Sequence, residues 1–281
     1  MATFARVLRG VLVARRWGCR AESAGVLCPP MSPSDRVDSA AALRPDDFEL
    51  VTFVQRLHAQ LVEELDAGAR TWLEGALGHA KGPNPARSRV AGAIAGAGRR
   101  VGHAPSNAVN GLGPWPSSTG WTRAEAVRLV LIAAACAELE ADAAAAFVED
   151  LYYRGSLEEQ RSVVRALPIL DACPRSTELA VDAGRTNAEP VFEALACENV
   201  YPALHFSDAA FDQLLLKVLF TGLDPRRVCG VERRFTATTA RRVDDLVAER
   251  RAAGRPAPLG SDWLRTLSRG PRDGVASEGT P

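Results

Sequence analysis

The chain has 281 residues, of which 34 are basic and 34 acidic, so its formal net charge is zero; this excludes a general electrostatic pull toward nucleic acid or an anionic membrane. Hydrophobic residues make up 47% of the chain but aromatics only 6%; much of the difference is alanine, the best helix former and a poor strand former, which points to an all-α fold. The longest uncharged apolar run, Leu129 to Ala137, falls well short of the ~20 residues a membrane span requires.

Residues 1–45 read as an extension. Arg6, Arg9, Arg15, Arg16 and Arg20 precede the first acidic residue, Glu22, as they would in a transit peptide, and Arg15-Arg16 invites a twin-arginine reading. The adjoining WGCRAESAGVLC lacks the apolar region such a signal needs, and Val26-Leu27-Cys28 has the wrong order of sizes for a lipobox. An over-extended start with Met31 as initiator is expected, or else a disordered tail, and a second such tail over 269–281. Between them, residues 46–268 are expected to form a single all-helical domain.

Helical periodicity begins near Pro45, with Phe48, Val51, Val54, Leu57, His58 and Leu61 at three- and four-residue intervals. A second helix runs through Ala67, Trp72, Leu73 and Leu77. His58 and His79 have no other ligand type beside them and read as packed or solvated side chains. The run RSRVAGAIAGAGRRVG (87–102) contains Gly96-x-Gly98, but it leads into a Pro/Gly/Ser linker near 103–121 rather than the βαβ unit a dinucleotide fingerprint needs. A helix face of small residues for close packing is the better reading.

Thr122-Arg-Ala-Glu125 and Ser156-Leu-Glu-Glu159 are capping boxes. The first opens a helix through Val127, Leu131 and Ala135. Another helix runs through Ala144, Phe147, Val148 and Leu151 to Gly155, and the second box opens one through Val163, Val164 and Leu167 to a stop at Pro168. A shorter helix spans 176–183 and ends at Gly184. Short helices joined by tight turns predict antiparallel helix pairs stacked as an irregular bundle or short solenoid.

The polar signal concentrates in residues 184–234: Arg185, Asn187, Glu193, Asn199, Tyr201, Gln213, Lys217, Arg227, Glu232, Arg233 and Arg234 lie there among apolar anchors. Asn187 is placed as the N-cap before Ala188-Glu189-Pro190, and Ser207 as the cap of the next helix. Gln213 and Lys217 stand four residues apart and share a face. Of the 34 basic residues only Lys81 and Lys217 are lysine, a bias that fits a GC-rich, bacterial coding background and makes each lysine informative. Lys217 lies in LLLKVLF, either snorkelling or paired with Glu193 or Glu232 to fix helix packing, or serving as a binding cation, a base or a Schiff-base amine. Arg226-Arg227 and Arg233-Arg234 flank Cys229-Gly230 as an anion clamp or as solvated surface charge. The six cysteines (Cys19, Cys28, Cys136, Cys173, Cys197 and Cys229) show no CxxC spacing and read as reduced thiols; no metal, nucleotide or other cofactor is indicated.

Arg185-Thr186-Asn187, Val191-Phe192-Glu193-Ala194, Asn199-Val200-Tyr201-Pro202, Gln213 with Leu216-Lys217, Phe220 and Gly222, and Gly230-Val231-Glu232-Arg233-Arg234 together closely resemble the C-terminal half of the EboA family of metabolite traffic proteins. The resemblance continues through Val243–Arg251 to Trp263. It reaches back more loosely to Thr71-Trp72-Leu73-Glu74, Arg100-Val101-Gly102 and Trp121. It departs from the family pattern at His205-Phe206, at Phe211 where Trp is expected, and at Arg226 where Tyr is expected. The resemblance implies a cytoplasmic bacterial protein, encoded with the enzymes of a secondary-metabolite cluster. In cyanobacteria that system is associated with delivering a sunscreen-pigment precursor to the periplasm. It brings no catalytic mechanism. The expected function is therefore a non-enzymatic binding or adaptor protein in metabolite export, whose partners are a small metabolite, proteins of the same gene cluster, or both. The polar residues of 184–234 would line its groove. The alternatives are a cofactor-independent enzyme using Lys217 as base or amine nucleophile, and a purely structural helical scaffold.

Overall fold

Thirteen α-helices and one 3-10 turn build the computed structural model, which describes residues 47–80, 85–109, 120–170 and 174–267. Among the described residues there is no strand, only an isolated bridge between Pro105 and Thr122. The expected extension over 1–45, the tail over 269–281, Lys81, Cys19, Cys28, Cys173 and the middle of the Pro/Gly/Ser stretch lie outside the described residues.

The first helices are α1 (Asp47–Glu64), α2 (Ala67–Ala80), α3 (Pro85–Val101), α4 (Arg123–Ala137), α5 (Ala141–Arg154) and α6 (Leu157–Leu170). The centre is α4, which is apolar on nearly every face: Ala124, Ala126, Val127, Leu129, Val130, Leu131 and Ile132 are all fully buried. A helix that is apolar all round has no solvent face to present and must be surrounded. It packs against α1, α2, α3, α5 and α6. In a solenoid each unit would touch only its neighbours in sequence, so the arrangement is the irregular bundle of the two predicted alternatives. Both capping boxes form, Thr122 with Glu125 and Ser156 with Glu159. The Gly96-x-Gly98 stretch lies inside α3, where a Cβ on Gly98 would meet the His103 ring at 2.6 Å. Small residues there serve close packing.

Two helix ends differ from the sequence reading: the helix expected to stop at Pro168 runs on to Leu170, and the one expected over 176–183 with a stop at Gly184 spans Pro174–Arg185. Pro168 does not stop α6; it sits inside the last turn. The described ends of the linker are also docked rather than loose. Ser106 N–H donates to Trp121 C=O at 2.9 Å and Arg123 N–H to Ala104 C=O at 2.9 Å, with Ala108, Val109 and Trp121 buried.

The second half is α7 (Pro174–Arg185), α8 (Glu189–Ala196), α9 (Tyr201–His205), α10 (Asp208–Thr221), the 3-10 turn Pro225–Arg227, α11 (Val231–Arg234), α12 (Ala237–Ala252) and α13 (Ser261–Leu267). Here α8 is the hub, with contacts to α6, α7, α9 and α10, while α12 joins α10 to α13. Ser207 caps α10 as expected, but the N-cap of α8 is Ala188, with no side-chain bond, and Asn187 is exposed. The chain can begin α8 without a polar cap because Pro190 in its first turn has no N–H to satisfy.

Candidate functional site

The polar residues of 184–234 do not share one groove. Asn199, buried, donates from Nδ2 to Val164 C=O at 3.1 Å and Ala194 C=O at 3.0 Å, and its Oδ1 accepts the Tyr201 N–H at 3.0 Å. Val164 is the residue four before Pro168, so its carbonyl loses its helical partner to that proline. Asn199 supplies the missing donor. Tyr201 is fully buried, with its hydroxyl 3.3 Å from Thr177 Oγ1 and its ring 4.3 Å from that of His205.

Two arginines of the expected anion clamp, Arg227 and Arg234, are occupied within the fold. Arg227 forks onto Glu198, Nε to Oε1 at 2.6 Å and Nη2 to Oε2 at 2.9 Å, and reaches Glu193 Oε1 with Nη1 at 2.6 Å. The bonds to Glu198, with burial opposing and Glu193 adding, hold its guanidinium in the charged form. This strap ties α8 and the loop after it to the 3-10 turn, and it keeps Glu198 in a left-handed conformation at φ 50°. That conformation strains a residue with a Cβ. Arg234 caps α9: Nη1 donates to Pro202 and Ala203 C=O, and Nη2 to Phe206 C=O at 2.8 Å and Asp208 Oδ1 at 2.7 Å. Its guanidinium also lies 4.5 Å from the Phe211 ring. Phe211, where the family pattern has Trp, thus keeps an aromatic face under that cation. Arg226 lies 5.6 Å from the Trp263 ring. Glu232 and Arg233 are exposed on α11.

The other candidates converge. Arg185, Gln213 and Lys217 line a groove of about 260 Å³ between α7 and α10, together with Val181, Gly184, Phe206, Ala210 and Leu214. The spacing of α10 creates it, since positions 210, 213, 214 and 217 fall on one side of a 3.6-residue helix, and Phe206 joins them from just before the Ser207 cap. Lys217 is paired with neither Glu193 nor Glu232. Its Nζ donates to Gly184 C=O at 2.9 Å and Thr186 C=O at 2.6 Å, and lies 4.4 Å from the Phe192 ring on α8. The lysine is therefore a cap on the C-terminal end of α7, where carbonyls lack helical partners and the dipole favours a cation. Burial lowers its pKa.

Sequence reasoning missed the apolar wall of this groove, because Phe206, Ala210 and Leu214 read as ordinary core positions. It also missed Glu198, an acidic residue beside Asn199 with no local pattern. Among the described residues no cluster of His, Cys, Asp and Glu is arranged to hold a metal, and no helix is long and apolar enough to cross a membrane. Cys136 and Cys197 are buried, and burial pushes both thiols up to about 12, which keeps them protonated.

No curated protein and no solved structure matches the chain. The family model described as metabolite traffic protein EboA matches residues 54–260, and that segment holds α2 to α12, the groove and every strap around it. The chain therefore belongs to the EboA family of metabolite traffic proteins.

Proposed function

We propose that this protein is a non-enzymatic binding or adaptor protein in the export of a secondary-metabolite precursor, working in the cytoplasm with enzymes of the same gene cluster, and that the groove between α7 and α10 receives the cargo. The observation that carries this reading is the convergence of Arg185, Gln213 and Lys217 on one recess that is otherwise lined by the apolar Val181, Phe206, Ala210 and Leu214. A few placed polar groups on an apolar concavity are the usual make-up of a small-molecule site. Family membership supplies the traffic role.

The test is Ala210→Trp, which fills the groove from a half-buried position on α10. Traffic of the cognate metabolite in cells should be lost while the purified variant keeps its melting temperature. Full traffic with a blocked groove would sink the proposal.

Lys217 as an amine nucleophile is a second reading, favoured by the burial that lowers its pKa and opposed by two carbonyls that favour the ammonium form. Borohydride trapping of a pathway intermediate on Lys217 decides between them; the binding reading expects no adduct.

A further inference from the structure

Several bases buried or partly buried elsewhere in the fold meet carboxylates. Arg128 reaches Glu158 at 3.4 Å, Arg161 reaches Glu125 at 2.7 Å, Arg227 reaches Glu193 at 2.6 Å and Arg234 reaches Asp208 at 2.7 Å. Lys217 differs from them. Its two partners are neutral carbonyls, and burial acts on it with no acidic neighbour to offset the effect. An ammonium carries three N–H donors, of which the carbonyls take two while the Phe192 ring lies 4.4 Å away, and the groove it borders also receives Arg185 and has no Asp or Glu in its lining. The negative end of the α7 dipole is already met by Lys217 itself.

We infer that the groove takes a small organic anion, a carboxylate on a short apolar body, with the carboxylate seated between Lys217 and Arg185. This rests on the reading of the groove as the cargo site and adds the chemical class of the cargo. Polarity along α10 sets the orientation. Lys217 marks the charged end beside Gly184 and Arg185, Gln213 stands one turn back, and Ala210 and Phe206 mark the apolar end. From Lys217 to Ala210 the helix rises about 10 Å at 1.5 Å per residue, which sets the length of the body. The volume of about 260 Å³ lies just under the roughly 300–1,000 Å³ of sites for drug-sized ligands. A single ring with a short acidic side chain fits, and a large polycyclic does not.

The experiment titrates the full chain with 4-phenylbutyrate, its neutral amide and the corresponding amine, with binding read by NMR. The carboxylate should bind, the amide about tenfold more weakly, as the loss of a charge-assisted hydrogen bond implies, and the amine not at all. Arg185→Ala, an exposed change that leaves the α7 cap in place, should weaken the carboxylate several-fold and leave the amide unchanged. Ala210→Trp should abolish both. Equal binding of amide and carboxylate overturns the anion assignment but leaves the cargo groove standing. Carboxylate binding that survives Ala210→Trp, or no binding by any of the probes, overturns the inference outright; the cargo reading is then still decided by the traffic assay.

Discussion

Asn199 shows how one side chain repairs a defect made by another. Pro168 gives the chain no N–H for the Val164 carbonyl, and Asn199 Nδ2 takes that carbonyl from 35 positions away in sequence. Replacing Asn199 by Ala would leave buried carbonyls of Val164 and Ala194 and the Tyr201 N–H unpartnered, a cost of roughly 2–4 kcal/mol. The two positions should couple. In a Pro168→Ala background, where the helix supplies its own N–H, denaturant unfolding should show a smaller penalty for Asn199→Ala, by about 1 kcal/mol; strict additivity would refute the link. Lys217 invites the same treatment. Lys217→Met keeps the apolar stem but strands the Gly184 and Thr186 carbonyls, and the urea midpoint should fall by an amount equivalent to about 1–2 kcal/mol.

At the scale of elements, the segment after α10 is shaped by left-handed backbone. Gly222 ends α10 at φ 80°, with Leu223 N–H donating to Val218 C=O at 3.0 Å, the αL stop that glycine allows without strain. Gly230, at φ 74°, opens α11, and a Cβ there would stand 2.9 Å from the Ala203 Cβ. That turn holds Arg234 against α9 and so fixes one edge of the groove's surroundings. Gly230→Ala meets both the conformational strain and the clash, and should cost about 2–3 kcal/mol in thermal or denaturant unfolding. Gly222→Ala meets only the strain, since nothing lies within 4 Å of the added atom, and should cost about 1 kcal/mol. Equal penalties would show that the contact with Ala203 has no weight.

Across the whole molecule, charge braces the bundle as well as the apolar core does, most of all between α4 and α6. Glu125 on α4 is 1% exposed, accepts from Arg161 at 2.7 Å and Arg165 at 3.3 Å on α6, and closes the Thr122 capping box. Burial opposes its ionisation, but the Arg161 hydrogen bond and the Arg165 and Arg161 charges outweigh it and hold the carboxyl below the ordinary carboxylate range. A folded pKa below the unfolded one means that this stability is fully present above the ordinary carboxylate range. It is lost as the pH falls through the folded value. Glu125→Gln should therefore destabilise the protein near neutral pH by roughly 3 kcal/mol. It should also flatten the acid limb of a stability-against-pH profile; an unchanged limb would show that other carboxylates carry it.

Much of the fold was legible because it depends on local chemistry. Alanine content, capping boxes, and the 3.6-residue periodicity of α2, α4 and α10 place helices without reference to distant residues. The motifs in 184–234 were likewise enough to identify the family. Sequence order could not show the division of labour among the polar residues there, because each is decided by a partner far along the chain. Asn199 answers Pro168, Arg227 answers Glu193 and Glu198, and Arg234 answers carbonyls of α9, while Arg185, Gln213 and Lys217 alone among those candidates reach the groove. Helix formation is a matter of neighbours in sequence, whereas hydrogen-bond satisfaction in a packed interior is a matter of neighbours in space. The sequence by itself determined the helices and the family, and only the tertiary structure decided which polar side chains brace the bundle and which face the groove between α7 and α10.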